Sequence, residues 1–300
     1  MGRIFRPASF GHSDGMPISP DNFHFIQGIA REGAALAVEP GREYLLEARL
    51  TPIAREAGFT ALDAFVNQLR ADHAARRDTT FHEQIVDALT SKETSFFRDF
   101  HPFECLHQHV LPQLIEQRAA TRKLRIWSAA ASSGQEAYSI ALLLLEHFPQ
   151  LHGWDVRILG TDISNSALEQ ARQGIYSQVE VNRGLPVPYL FKYFARDDYK
   201  WHIQDEVKGR VEFRQLNLAR PWPILPMFDV AFVCNVLTDF DAELKTTILK
   251  RVRRCLQPRG FLFLGAAETT LSTDPDWSPE RLGNVTVYKP RQSANNARAA

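Results

Sequence analysis

The chain has 300 residues, room for one large α/β domain and a small companion, and its 35 Lys+Arg balance its 35 Asp+Glu to a formal net charge of zero. That balance argues against a broad nucleic-acid footprint. No stretch approaches the roughly 20 apolar residues of a membrane span, and the N-terminus lacks the apolar run of a signal peptide, so a cytoplasmic protein without membrane insertion is expected.

Residues 1–20 read as a flexible arm. From 21 to 90 the pattern is helical. Asp21 to Glu32 starts from a good cap and carries apolar residues at helical spacing. Tyr44, Leu45, Leu46, Leu50 and Ile53 make a second stripe, and Leu62, Phe65, Val66 and Leu69 a third after the cap Thr60. Val86 and Leu89 belong to a fourth. Residues 91–120 read as a linker segment. His101, His107 and His109 lie within it, but no acidic or Cys partner sits at ligand spacing, so a solvated helix face is expected there and no metal site. Cys105, Cys234 and Cys255 show no paired spacing and read as reduced thiols.

The character changes near Thr121. Leu124 to Trp127 suits a buried strand, a run of small residues from Ala129 to Gly134 follows, and Gln135 to His147 is a helix. Val156 to Gly160 is a second strand, Ala167 to Arg172 a helix, Phe228 to Val233 and Phe261 to Leu264 further strands, with a helix at Ala242 to Leu256 between them. Strands alternating with helices predict a mainly parallel, doubly wound sheet over 121–290. Pro186 and Pro188 open a stretch, about 184–216, whose short alternating runs, Val211-Glu212-Phe213 among them, predict an inserted antiparallel subdomain. Residues 291–300 read as a flexible tail.

The strongest physical signal is the strand, small loop and helix of Arg125 to Ile140. Ligands of open α/β sheets bind at the carboxyl ends of the strands. Small side chains from Ala129 to Gly134 let a ligand approach the backbone, and Ser132/Gln135 or Ser133/Glu136 has capping-box spacing. Asp162 ends the second strand about 28 positions after Gly134 and is placed to accept from ribose hydroxyls; the competing reading is a helix cap. The loop lacks GxGxxG, and Glu136 in the first helical turn repels a pyrophosphate but pairs with an ammonium. That favours S-adenosylmethionine over a dinucleotide.

A set of motifs now stands in order: Glu93-Thr94-Ser95-Phe96-Phe97-Arg98-Asp99, Trp127 to Ile140, Gly160-Thr161-Asp162-Ile163, Gly174-Ile175-Tyr176, Arg183-Gly184-Leu185-Pro186, Phe213 to Leu218 and Gly265-Ala266-Ala267-Glu268-Thr269. From about Asp21 to Lys289 the chain resembles the CheR-type chemotaxis protein methyltransferases. The resemblance implies a Rossmann-like class I methyltransferase sheet with an all-helical N-terminal domain and a small antiparallel β-subdomain. It implies methyl transfer from S-adenosylmethionine, leaving S-adenosylhomocysteine, to glutamate side chains on the cytoplasmic helical domain of chemoreceptors. It places Thr94, Arg98, Ala130, Glu136, Asp162, Asn217, Leu218 and Asn235 around the cofactor, Asn217 and Leu218 at the adenine, and Arg98 as the residue that clamps the substrate carboxylate.

Three positions depart from the family pattern. Lys92 stands where asparagine is usual before Glu-Thr, Cys234 replaces an arginine and Asp239 a tyrosine in Phe232 to Asp241. A carboxylate at Asp239, about 5 Å from an incoming glutamate, would cost roughly 3 kcal/mol at an effective dielectric near 20. Lys92 could offset it by neutralising Asp239 or by pairing with the substrate, or it could repel the sulfonium. The alternative reading is an impaired homologue that binds the cofactor or its demethylated product as a sensor or scaffold. Basic residues of the helical domain (Arg42, Arg49, Arg55, Arg70, Arg76, Arg77) form either a solvated face or a site for an acidic receptor helix. A monomer, without a receptor tether, is expected.

Overall fold

The computed structural model describes residues 17–75, 80–90, 92–268 and 275–291, with the chain divided into two compact units, 1–90 and 91–300. The arm, the tail, Arg76, Arg77 and Thr269 lie almost wholly outside the described residues.

The first unit is four helices: α1 Pro20–Ala34, α2 Glu43–Glu56, α3 Leu62–Ala74 and α4 Thr80–Leu89. Their apolar stripes converge on Phe23, Ile26, Leu46, Leu50, Leu62, Phe65, Val66 and Ile85, all buried. Tyr44 differs from the expected stripe: it is exposed, because α2 buries Leu46, Leu50 and Ala54 instead. The cap of α3 is Ala61, so Thr60 lies one residue before the cap. Ser19 caps α1 without a side-chain bond of its own to the helix; its hydroxyl and amide donate to Asp63 Oδ1 of α3, tying the two helices together.

The second unit begins with α5 His101–Cys105, a π-helical turn at Leu106–Val110 and α6 Leu111–Arg118. This is no linker. Phe96, Phe103, Leu106, Val110, Leu111 and Leu114 all enter the same buried core as the sheet, and their apolar surface leaves them no other place. There follow β1 Lys123–Ala129, α7 Gln135–His147, β2 Asp155–Asp162, α8 Asn165–Gln173, β3 Ile175–Ser177, α9 Gln178–Asn182, α10 Val187–Tyr193, β4 Phe194–Asp197, β5 Lys200–Ile203, α11 Asp205–Lys208, β6 Val211–Gln215, β7 Phe228–Val233, α12 Ala242–Cys255, β8 Leu256–Leu264, β9 Trp277–Leu282 and β10 Val285–Pro290.

The main sheet has seven strands in the order β6-β2-β1-β7-β8-β10-β9. The first five pair in parallel, and β10 runs antiparallel to both its neighbours. Strand order reverses between β1 and β7, so the carboxyl ends of β1, β2 and β7 open the crevice where such sheets bind ligands. With helices on both faces and an antiparallel final hairpin, this is the class I methyltransferase sheet. β7 is buried at all six positions and apolar at all but Asp229, whose carboxylate accepts from Arg118 Nε and the Arg125 amide.

The antiparallel subdomain is smaller than 184–216 and shifted. Its three strands are β3, β5 and β4, so it opens upstream of Gly184. Val211-Glu212-Phe213 belongs to β6 and pairs in parallel with β2. Short alternating runs look alike in both settings; the exposed side of β6 at Glu212 and Arg214 reflects an edge strand.

Candidate active site

The loop after β1 turns sharply. Ala130 and Ser132 both have positive φ, 56° and 49°, and Gly134 follows at 95°. Gly134 caps α7; neither Ser132 nor Ser133 does, contrary to the capping-box spacing. Ser133 instead donates to Gln135 Oε1, and its carbonyl accepts from buried Tyr176 Oη at 2.7 Å. A Cβ at Gly134 would stand 3.0 Å from the side chains of Ala171 and Phe213, so only glycine lets α7 start this close to β6 and α8.

Asp162 receives the Ser132 amide on Oδ2 and the Ser164 amide on Oδ1, each at 2.8 Å. It is not a helix cap; Ser164 caps α8 through Ala167 N. Asp162 thus locks the loops after β1 and β2 together. Leu216 N donates to Asp162 O, which draws Asn217 and Leu218 to the same edge. Leu218 is buried, and Asn217 Oδ1 accepts from Ala219 N.

Glu136 stands in the first turn of α7. Ser128 Oγ of β1 donates to its Oε1 at 2.6 Å. Glu136 keeps some solvent access, yet dense surroundings push its carboxyl up to about 7; the Ser128 bond and the field of Arg98 pull it down, while Glu268 and Asp99 raise it. The same groups surround Cys234. Burial first, then Glu136, Glu268 and Asp99, hold its thiol well above the usual range. Three acids against one guanidinium make an electronegative cluster, the chemistry that suits a ligand carrying a sulfonium and an ammonium.

Arg98 lies in the segment before α5. Its Nη1 donates to Glu93 O at 2.8 Å, which curls the segment back on itself. Phe97 N donates to Ser139 Oγ of α7, and Phe96 packs edge-on against Tyr176 and Phe194. Thr94 is half-buried between these anchors.

Glu268, which the sequence does not single out as a site residue, organises the far side. Buried at 4% exposure, its carboxylate accepts from the amides of Asn235 (2.7 Å), Leu237 (2.6 Å), Thr238 (3.3 Å) and Gly265 (2.9 Å). Four charge-assisted bonds fix the turn after β7 and hold Asn235 at a φ of 59°. An acid in a motif otherwise made of small residues was the available signal.

Lys92 does not neutralise Asp239. Its Nζ donates to Ser166 Oγ on α8, and its carbonyl accepts from Ser132 Oγ, so it serves the β1–β2 side. The cation acting on Asp239 is Lys245, while close packing and Glu268 raise the Asp239 carboxyl above the usual range.

A family model described as "CheR methyltransferase, SAM binding domain" matches residues 92–284. The chain belongs to the CheR methyltransferase family. Its relatives include Chemotaxis protein methyltransferase 1 of Pseudomonas aeruginosa, 38% identical over 260 residues that cover 85% of this chain and 92% of the relative. Chemotaxis protein methyltransferase 1 of Vibrio cholerae is 36% identical over 276 residues, covering 91% and 98%. As a CheR-family chemotaxis methyltransferase the chain uses S-adenosylmethionine, and the electronegative cluster around Glu136 fits that cation. Among the described residues no helix is long and apolar enough to cross a membrane. The reading as an impaired sensor gains no support from these relatives.

Proposed function

We propose that this CheR-family enzyme transfers the methyl group to glutamate side chains on the helical signalling region of chemoreceptors, in the cytoplasm, forming methyl esters. The observation that carries the reading is Arg98, set beside the acidic pocket on a segment pinned to α7: it supplies positive charge where a carboxylate has to approach Glu136, Asp99 and Glu268. The relatives' designation as chemotaxis protein methyltransferases supports the substrate class.

Bound S-adenosylmethionine supplies an electrophilic methyl on a leaving group that departs neutral. A glutamate carboxylate is already ionised at neutral pH, so no general base is required and the protein's work is positioning and field. Glu136 holds the methionine ammonium, Asp162 the ribose hydroxyls, and Asn217 and Leu218 border the adenine. Ala130 and Thr94 shape the pocket, and Asn235, set by Glu268, closes its β7 side. Arg98 aligns the carboxylate through its planar fork.

The test is transfer of tritiated methyl to receptor-containing membranes. Base-labile label on receptor glutamates is expected from the native enzyme. Arg98→Ala should lower transfer on the order of 10²-fold, with Arg98→Lys recovering only part of it. Label on another residue type, or full transfer by Arg98→Ala, would contradict the proposal.

A further inference from the structure

Four phenylalanines lie between positions 96 and 103, and three of them face inward. Phe96 and Phe103 are buried, and Phe97 packs on Phe103 and Tyr189. Phe100 is 61% exposed and meets only the ring of its neighbour His101 among the described aromatic contacts.

Its backbone is the more telling feature. Phe100 has φ 49° and ψ −54°, and His101 N donates to Asp99 O across it at 2.5 Å. That is a γ-turn of the rare positive-φ kind, and Phe97 and Asp99 beside it are left-handed too, at 48° and 62°. Non-glycine residues reach such geometry only where their surroundings over-determine it. Here the surroundings do: Phe100 N donates to Phe97 O, and Phe100 O accepts the amides of Phe103 and Glu104 that start α5. A glycine at this position would relieve the strain, and the ring adds nothing to the core. The strained turn holds a bare aromatic ring two residues beyond Arg98.

We propose that Phe100 is a substrate-contact residue that selects which glutamate is methylated, by packing on an apolar side chain one helical turn away from it on the acceptor helix. This rests on the proposed function. With the acceptor carboxylate at Arg98, the nearest neighbours on the same face of a helix are three and four residues away, about 5–6 Å between Cβ atoms, and Phe100 follows Arg98 by two positions on the enzyme. Aromatic rings in this position carry a large share of contact energy at small entropic cost, because only two torsions are fixed.

The experiment measures methyl transfer to receptor-containing membranes, cofactor affinity by calorimetry and thermal midpoint for native enzyme, Phe100→Ala, Phe100→Gly and Phe100→Tyr. Expected is a rise in KM for the receptor of about tenfold in the Ala and Gly variants, with Phe100→Tyr close to native. Cofactor affinity should stay unchanged, and the thermal midpoint of Phe100→Gly should equal or exceed the native value. A receptor in which the apolar residues three and four positions from the accepted glutamate are changed to Asp should show the same rise with native enzyme and no further rise with Phe100→Ala. Unchanged KM in the Ala and Gly variants, while native enzyme labels glutamate, overturns the proposal alone. Failure of native enzyme to label glutamate overturns the proposed function, and this inference with it.

Discussion

Glu136 is where burial and binding oppose each other. Its carboxyl is pushed up to about 7 from an ordinary value of 4.5, chiefly by desolvation. An acid with a raised folded-state pKa contributes stability that is present below its unfolded value and lost as pH rises from about 4.5 through about 7. Ionised Glu136 therefore destabilises the cofactor-free protein above neutrality, by on the order of 3 kcal/mol. Glu136→Gln should raise the thermal midpoint at pH 8 and leave it nearly unchanged at pH 4.5, measured by scanning calorimetry. The cationic cofactor selects the ionised form, so binding should weaken below pH 7 and release protons near it. Titration in buffers of different ionisation heat reads that release, and Glu136→Gln should remove it while weakening binding tenfold or more. The strain at Ala130, Ser132 and Asn235 belongs to the same scale: each left-handed residue sits in a loop at the carboxyl edge of the sheet, where the ligand has to meet backbone.

At the scale of elements, two devices hold the site. One is Glu268, which gathers four amides from the turn after β7 and from Gly265. Glu268→Gln keeps the shape but replaces an acceptor oxygen by a donor, leaving at least one buried amide without a partner at about 1–3 kcal/mol. A lower thermal midpoint together with weaker cofactor affinity is expected; a change in one without the other would separate the turn from the pocket. The second is the contact of Gly184 with the Arg98 segment. A Cβ at Gly184 would stand 2.0 Å from Phe96 O, and φ is 87°, so nothing larger than hydrogen fits. Gly184→Ala should displace the segment and reduce methyl transfer strongly in a protein that still binds cofactor. The π-helical turn at Leu106–Val110 stacks His107 on His147, whose Nε2 meets Tyr189 Oη at 2.6 Å, and Tyr189 backs Phe97. That chain of rings braces the segment from behind.

At the scale of the whole molecule, every residue assigned to the cofactor lies in the second unit, whose two apolar clusters are built from residues of that unit alone. A fragment of residues 91–300 should therefore fold and bind S-adenosylmethionine with affinity within a few-fold of the full chain, checked by calorimetry. Loss of binding with a folded fragment would contradict that assignment.

Much of this was legible in the sequence because it is periodic or local. Continuous apolar runs marked β1, β2, β7 and β8, helical stripes marked α3 and α12, and the ordered motifs carried the family and its cofactor. What misled was chemistry that has the same sequence look in two settings. Val211-Glu212-Phe213 alternates like a strand of a small antiparallel sheet, and only pairing to Ile158–Asp162 made it an edge of the large one. Ser133 and Glu136 have capping spacing, but Gly134 takes the cap because α7 must start against Phe213. Residues 91–120 read as a linker because their apolar residues have no regular period; their burial depends on a core assembled from elements far along the chain. Sequence by itself determined the fold class, the family and the cofactor, since those follow from patterns repeated over many residues. Only the tertiary structure decided the partners of Glu268, Lys92 and Asp239 and the strained exposure of Phe100, because each depends on loops that meet only once the sheet has closed the distance between them.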